Sequence, residues 1–107
     1  MSIGNETIHL PDIVNEAYAV EMRKQVQQLL QSGKVNILLD LTDTKFIDSS
    51  GLGVLALTYK SVRAAGGRLC FCSVGTQPSM LFELTGMEEI FEIFPNKHAY
   101  MEAIAAS

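Results

Sequence analysis

The chain has 107 residues, 48% of them hydrophobic and 19% charged, with a formal net charge of -4. That is enough apolar material for the core of one domain spanning residues 1–107 and too little chain for a second, so a disordered chain is excluded. The 8 Lys and Arg residues are scattered rather than clustered, and no stretch nears the roughly 18 apolar residues of a membrane span, so nucleic acid and membrane insertion are excluded as modes of action.

The first ten residues have neither the basic nor the apolar segment of a leader, and a cytoplasmic location is expected. Residues 6–10 alternate weakly and predict an edge strand that Pro11-Asp12 ends. Over residues 15–31 the pattern becomes helical. Ala17, Val20, Met22, Val26, Leu29 and Leu30 supply the apolar stripe, Asn15 a cap and Gly33 a stop. Residues 35–39 form a short branched run closed by Asp40, which predicts a buried strand, and a polar loop follows over 41–46. Leu52, Leu55, Ala56, Tyr59 and Val62 recur on one side of a second helix over 52–64, ended by Gly66-Gly67.

The run at 68–74 is the next strand and places Cys70 and Cys72 on one face of it. Pro78 suits the first turn of a third helix that Gly86 stops. A short strand at 90–93 and a helix over 97–105 complete the chain. Strands alternating with helices through short connections predict an α/β fold: a small, mainly parallel or mixed β-sheet flanked by helices. Ile37, Leu39, Leu55, Tyr59, Leu69 and Phe71 are expected in its core. Burial is also expected for Leu81 and Leu84, and helix packing for Tyr100, Met101 and Ile104.

The stretch Phe46-Ile47-Asp48-Ser49-Ser50-Gly51-Leu52-Gly53 is harder to account for by packing. It joins an apolar segment to a helix through polar residues and two glycines. Ser50 falls at or beside the helix cap, with Ser49 as the alternative, and Asp48 is placed to accept from nearby backbone N–H groups. A helix start exposes unpaired N–H groups and partial positive charge, so a phosphate on Ser50 would be tolerated there while changing the charge of the surface. Gly51 and Gly53 would let another backbone approach the hydroxyl. A serine-rich turn that simply caps a helix is the competing reading.

Leu38-Leu39-Asp40-Leu41, the motif from Phe46 to Leu55, and Gly66-Gly67-Arg68-Leu69 together resemble the STAS domain, and more narrowly the bacterial anti-sigma factor antagonists. The resemblance covers roughly residues 6–105. It implies a non-enzymatic, cofactor-free protein that binds an anti-sigma factor with GHKL-type serine kinase activity and so frees a sigma factor. It also implies that the kinase phosphorylates Ser50 and that a PP2C-type phosphatase reverses this. Asp48, Ser49, Ser50, Gly51, Leu52 and Gly53 are the implied partner-binding positions. A second reading stays open: an unphosphorylated STAS scaffold, or a subunit of a transport or signalling complex. The amino-terminal part has room for little more than one strand where the family has two, and Leu10-Pro11-Asp12-Ile13 stands where the family has a glycine-containing turn.

Other chemistry finds little purchase. A serine hydrolase needs a base, and His9 and His98, the two histidines, read as an edge-strand and a solvent-facing helix residue. Cys70-x-Cys72 lacks the second ligand pair of a zinc site, and Gly51-Leu52-Gly53 lacks the third glycine of a dinucleotide loop.

Overall fold

Two apolar runs, Asn36–Asp40 and Arg68–Cys72, pair in parallel register at the centre of a sheet. In the computed structural model, which describes residues 5–106, side chains of both runs are buried on both faces. That is why these strands are continuous rather than alternating in hydrophobicity. In chain order the elements are β1 (Asn5–His9), β2 (Ile13–Val14), α1 (Glu16–Gln31), β3 (Asn36–Asp40), β4 (Phe46–Ile47), α2 (Ser49–Ala64), β5 (Arg68–Cys72), α3 (Thr76–Thr85), β6 (Glu92–Phe94) and α4 (Lys97–Ala106). A 3-10 turn, Met87–Glu89, lies between α3 and β6. The main sheet is parallel throughout, in the order β1-β3-β5-β6, with Ile8 beside Leu39, Leu39 beside Phe71 and Phe71 beside Ile93.

Alternate residues of the central strands serve two separate cores. Ile37, Leu39, Leu69 and Phe71 join Met22, Val26, Leu55, Val62, Phe82 and Phe91. Phe91 stacks on Phe71 with ring centroids 4.4 Å apart and meets Phe82 edge-on. Leu38, Cys70 and Cys72 form the opposite layer with Tyr100 and Ile104 of α4. Five of the six expected core residues are fully buried or nearly so, and Tyr59 is half-buried against Phe91.

Several expectations are corrected. Two strands, not one, precede α1, because Ile13–Val14 pairs in parallel with Phe46–Ile47. The expected loop at 41–46 therefore runs into a strand. Two residues are too few to show a period, so neither strand is visible as a pattern. The Leu10–Ile13 segment is held by backbone and hydroxyl contacts: Thr44 Oγ1 donates to the Pro11 carbonyl at 2.8 Å, and Lys45 and Phe46 N–H both donate to that of Asp12.

In α1, capped by Asn15 through Tyr18 N–H as expected, Ala19, Met22 and Val26 face inward while Ala17 and Val20 are exposed. At about 3.6 residues per turn, positions 17 and 20 lie on the far side of the helix from Met22. Leu84, expected inside, is 79% exposed, and Met101 is exposed too. The last strand begins at Glu92 rather than 90, since the 3-10 turn after left-handed Gly86 takes up the preceding residues. The strand expected to reach 74 ends at Cys72.

Candidate functional site

A separate two-stranded ladder, β2 with β4, delivers the chain directly into α2. Ile47 is fully buried, and Asp48 N–H donates to the Val14 carbonyl at 3.2 Å. Asp48 then adopts extended backbone and becomes the N-cap: its Oδ1 accepts from Gly51 N–H at 2.6 Å, and its carbonyl accepts from Leu52 N–H at 2.9 Å. The cap is therefore Asp48, not Ser50 or Ser49, and the helix begins three residues earlier than position 52. A carboxylate suits this place, where the bond is charge-assisted and sits at the positive end of the helix dipole.

Displaced from the cap, Ser49 and Ser50 become the first two helical residues, and both are exposed. Gly51 and Leu52 turn inward and are buried, whereas Gly53 is exposed. The two glycines serve different ends. A Cβ on Gly51 would lie 2.5 Å from the Val14 carbonyl oxygen, so this glycine lets α2 sit close on β2 within the same chain. A Cβ on Gly53 would meet nothing within 4 Å, so the surface beside Ser50 is open there.

Along the helix, Ser50, Val54 and Leu57 share one stripe at i, i+4 and i+7. Val54 and Leu57 line an open groove against Val20, Arg23, Lys24 and Gln27 of α1, about 460 Å³ in volume. Leu57 is 49% exposed and Val20 39%. Ile13 and Phe46, register partners in the small ladder, are exposed at 54% and 45%. α2 carries Lys60 and Arg63 and no acidic residue. The periodicity of α1 assigned Val20 to the core, so this exposed apolar surface was legible only once the true inward face was known.

The other residues weighed for chemistry lie elsewhere. His9 Nδ1 is 3.3 Å from Asp40, and His98 pairs with Glu102 on α4, the helix that covers the opposite face of the sheet from α2. Burial, then the nearby Glu92 carboxylate, pushes the Cys70 thiol up to about 12, and burial raises Cys72 as well. Asp40 is pushed up by burial but held below the usual carboxylate range on balance, chiefly by the Thr42 hydroxyl and N–H. Among the described residues no group of three or more His, Cys, Asp and Glu is placed to hold a metal ion, and no helix is long and apolar enough to cross a membrane.

The STAS domain family model matches residues 7–100. An anti-sigma-B factor antagonist of Listeria monocytogenes is 33% identical over 79 residues, covering 73% of this chain and 69% of its own. An anti-sigma F factor antagonist of Paenibacillus polymyxa is 32% identical over 77 residues, 71% of this chain and 66% of the relative. The crystal structure of a Thermotoga maritima protein assigned as an anti-sigma factor antagonist superposes with a TM-score of 0.81 at 27% identity, over 92% of this chain and 87% of that one. With the parallel sheet, the Asp-capped helix and the Asp-Ser-Ser-Gly-Leu-Gly start all in place, the chain belongs to the STAS domain family, among the anti-sigma factor antagonists.

Proposed function

We propose that the chain is a phosphorylation-switched binding protein of the cytoplasm. In its unmodified form it sequesters an anti-sigma factor with GHKL-type serine kinase activity, and so releases a sigma factor. That kinase phosphorylates Ser50, and a PP2C-type phosphatase returns the hydroxyl. The names of the relatives, antagonists of anti-sigma F and anti-sigma-B factors, support the partner class. The observation that carries the reading is the position of Ser50: an exposed hydroxyl on the first turn of a helix whose cap is already filled by Asp48.

Each part of the motif then has a task. Asp48, Gly51 and Leu52 fix the helix start against β2 and the core, and Ser49, Ser50 and Gly53 present the surface. The neighbouring Val54, Leu57 and Val20 give a partner apolar area to cover. A partner seated there would enclose the Ser50 hydroxyl at little cost. A phosphate of about -1.5 to -2 charges would have to be desolvated in the same place, and binding would be lost.

The test is incubation with the cognate kinase and ATP, site-resolved mass spectrometry, and affinity measurement before and after. Phosphate at Ser50 with at least a tenfold loss of affinity is expected. Ser50→Ala should bind and resist modification, and Ser50→Asp should bind more weakly. Phosphate on Ser49 alone would reject the residue. Stable association with a transport ATPase and no phosphate on either serine would favour the scaffold reading instead.

A further inference from the structure

The small ladder that precedes Asp48 has an unusual edge. β4 is only two residues long, and its sheet has two strands, β2 and β4. One side of the strand end is tied to β2, through Asp48 N–H and the Val14 carbonyl. On its other side the place of a third strand is taken by one side chain. Gln77, in the first turn of α3, accepts from Ile47 N–H through Oε1 at 2.9 Å and donates from Nε2 to the Ile47 carbonyl at 3.0 Å. A primary amide offers the same donor and acceptor as a peptide unit, so Gln77 closes both groups of one residue as a neighbouring strand would. Glutamate cannot do this, because an ionised carboxylate has no proton for the carbonyl.

Ile47 is immediately before the cap. Its backbone leads into Asp48, whose carboxylate receives Gly51 N–H, and Gly51 leaves no slack against the Val14 carbonyl. Position and orientation of the first helical turn therefore follow from where Ile47 is clamped. We infer that Gln77 is a positioning residue for Ser50, coupling the start of α3 to the start of α2 through the backbone of Ile47. Its effect on phosphorylation rests on the proposed role of Ser50, but its effect on the loop does not.

Two variants separate positioning from packing. Gln77→Ala removes the clamp, and Gln77→Glu keeps size and the acceptor while losing the donor. Amide hydrogen exchange by NMR reads the result without any kinase. In both variants the Asp48 and Gly51 amides, neither of which bonds to Gln77, should lose roughly tenfold protection, while Leu38 and Phe71 in the central strands stay unchanged. Phosphorylation of Ser50 should fall about tenfold in kcat/KM, carried mainly by kcat, since the hydroxyl is bound but poorly presented. Wild-type protection at Asp48 and Gly51 in Gln77→Glu would overturn the inference, as would lost protection with an unchanged phosphorylation rate. A wild-type chain that takes no phosphate at Ser50 would refute the proposed function instead, and the exchange result would still decide the role of Gln77.

Discussion

Replacing each glycine of the motif by alanine should move stability in opposite directions. Gly51 and Gly53 lie two residues apart in the same helix, and neither has a positive φ. Alanine in a helix is worth about 0.5–1 kcal/mol over glycine, so propensity alone predicts that both variants gain. At Gly53 nothing opposes this, because the added methyl meets no atom within 4 Å. Gly53→Ala should therefore gain about 0.5–1 kcal/mol, or roughly 2–5 °C in Tm for a domain of this size. At Gly51 the methyl would stand 2.5 Å from the Val14 oxygen and 3.1 Å from its carbon, against an ordinary carbon–oxygen contact of about 3.3 Å or more. The obstacle is backbone, and that carbonyl also accepts from Asp48 N–H, so neither side yields without breaking the ladder. Overpacking of this kind costs about 1–3 kcal/mol, leaving Gly51→Ala a net loser by about 0.5–2 kcal/mol. Parallel urea and thermal denaturation of the two variants measures the difference. A stabilised Gly51→Ala would refute the reasoning that this glycine is required by close approach.

The cap assignment predicts that Asp48→Ala loses about 1 kcal/mol in urea denaturation, Asp48→Asn loses only a few tenths, and Ser50→Ala stays within about 0.5 kcal/mol of the parent. Equal losses for Asp48→Ala and Ser50→Ala would return the cap to the serine. Arg68 holds the Glu92 carboxyl below its usual range, with burial opposing and Cys70 assisting. A lowered folded value stabilises the fold above the unfolded value and loses that contribution as pH falls through the folded one. The stability gap between the parent and Glu92→Gln should accordingly be largest near neutrality and narrow as pH falls through the lowered Glu92 value, by a modest amount because both partners are about a third exposed. Cys70 and Cys72 are fully buried, with thiols shifted away from the reactive thiolate, so neither should react with a disulfide reagent at pH 8 until the chain is unfolded in guanidinium. Rapid native labelling of either would contradict that burial.

The long elements were legible because their patterns are long. Sixteen residues of α1 and the five-residue runs of β3 and β5 carry enough period or continuity to identify themselves. β2 and β4 have two residues each, and nothing in Ile13-Val14 or Phe46-Ile47 distinguishes a strand from a loop. What makes them strands is each other, a contact between segments more than thirty residues apart in register. The cap was misassigned for a related reason: serine and aspartate are nearly equal as caps by propensity, and the choice is made by where Val14 anchors the chain. Gln77 carried no signal at all. Its role exists only because α3 begins beside a strand edge that, among the described residues, has no neighbouring strand, a fact of topology and not of local sequence.

A preformed helix start constrains how a switch at Ser50 could work. The carboxylate of Asp48 already satisfies Gly51 N–H, so a phosphate two residues on is not required to complete the cap. Nor would it melt the helix, since negative charge in the first turn is favoured by the dipole and α2 has no acidic residue of its own. The dipole favours the added charge while the Asp48 carboxylate opposes it, so a switch of this kind would express most of its free energy in what touches the surface. The stripe from Ser50 through Val54 to Leu57 is apolar beyond its first member, and a partner that covers it must strip water from whatever Ser50 carries. A hydroxyl gives up little. A doubly charged phosphate gives up a great deal, unless the partner brings cations to receive it. On this reasoning a switch at Ser50 would discriminate between the two forms through the partner's groups opposite it, with the Asp48-capped helix start presenting the side chain in both.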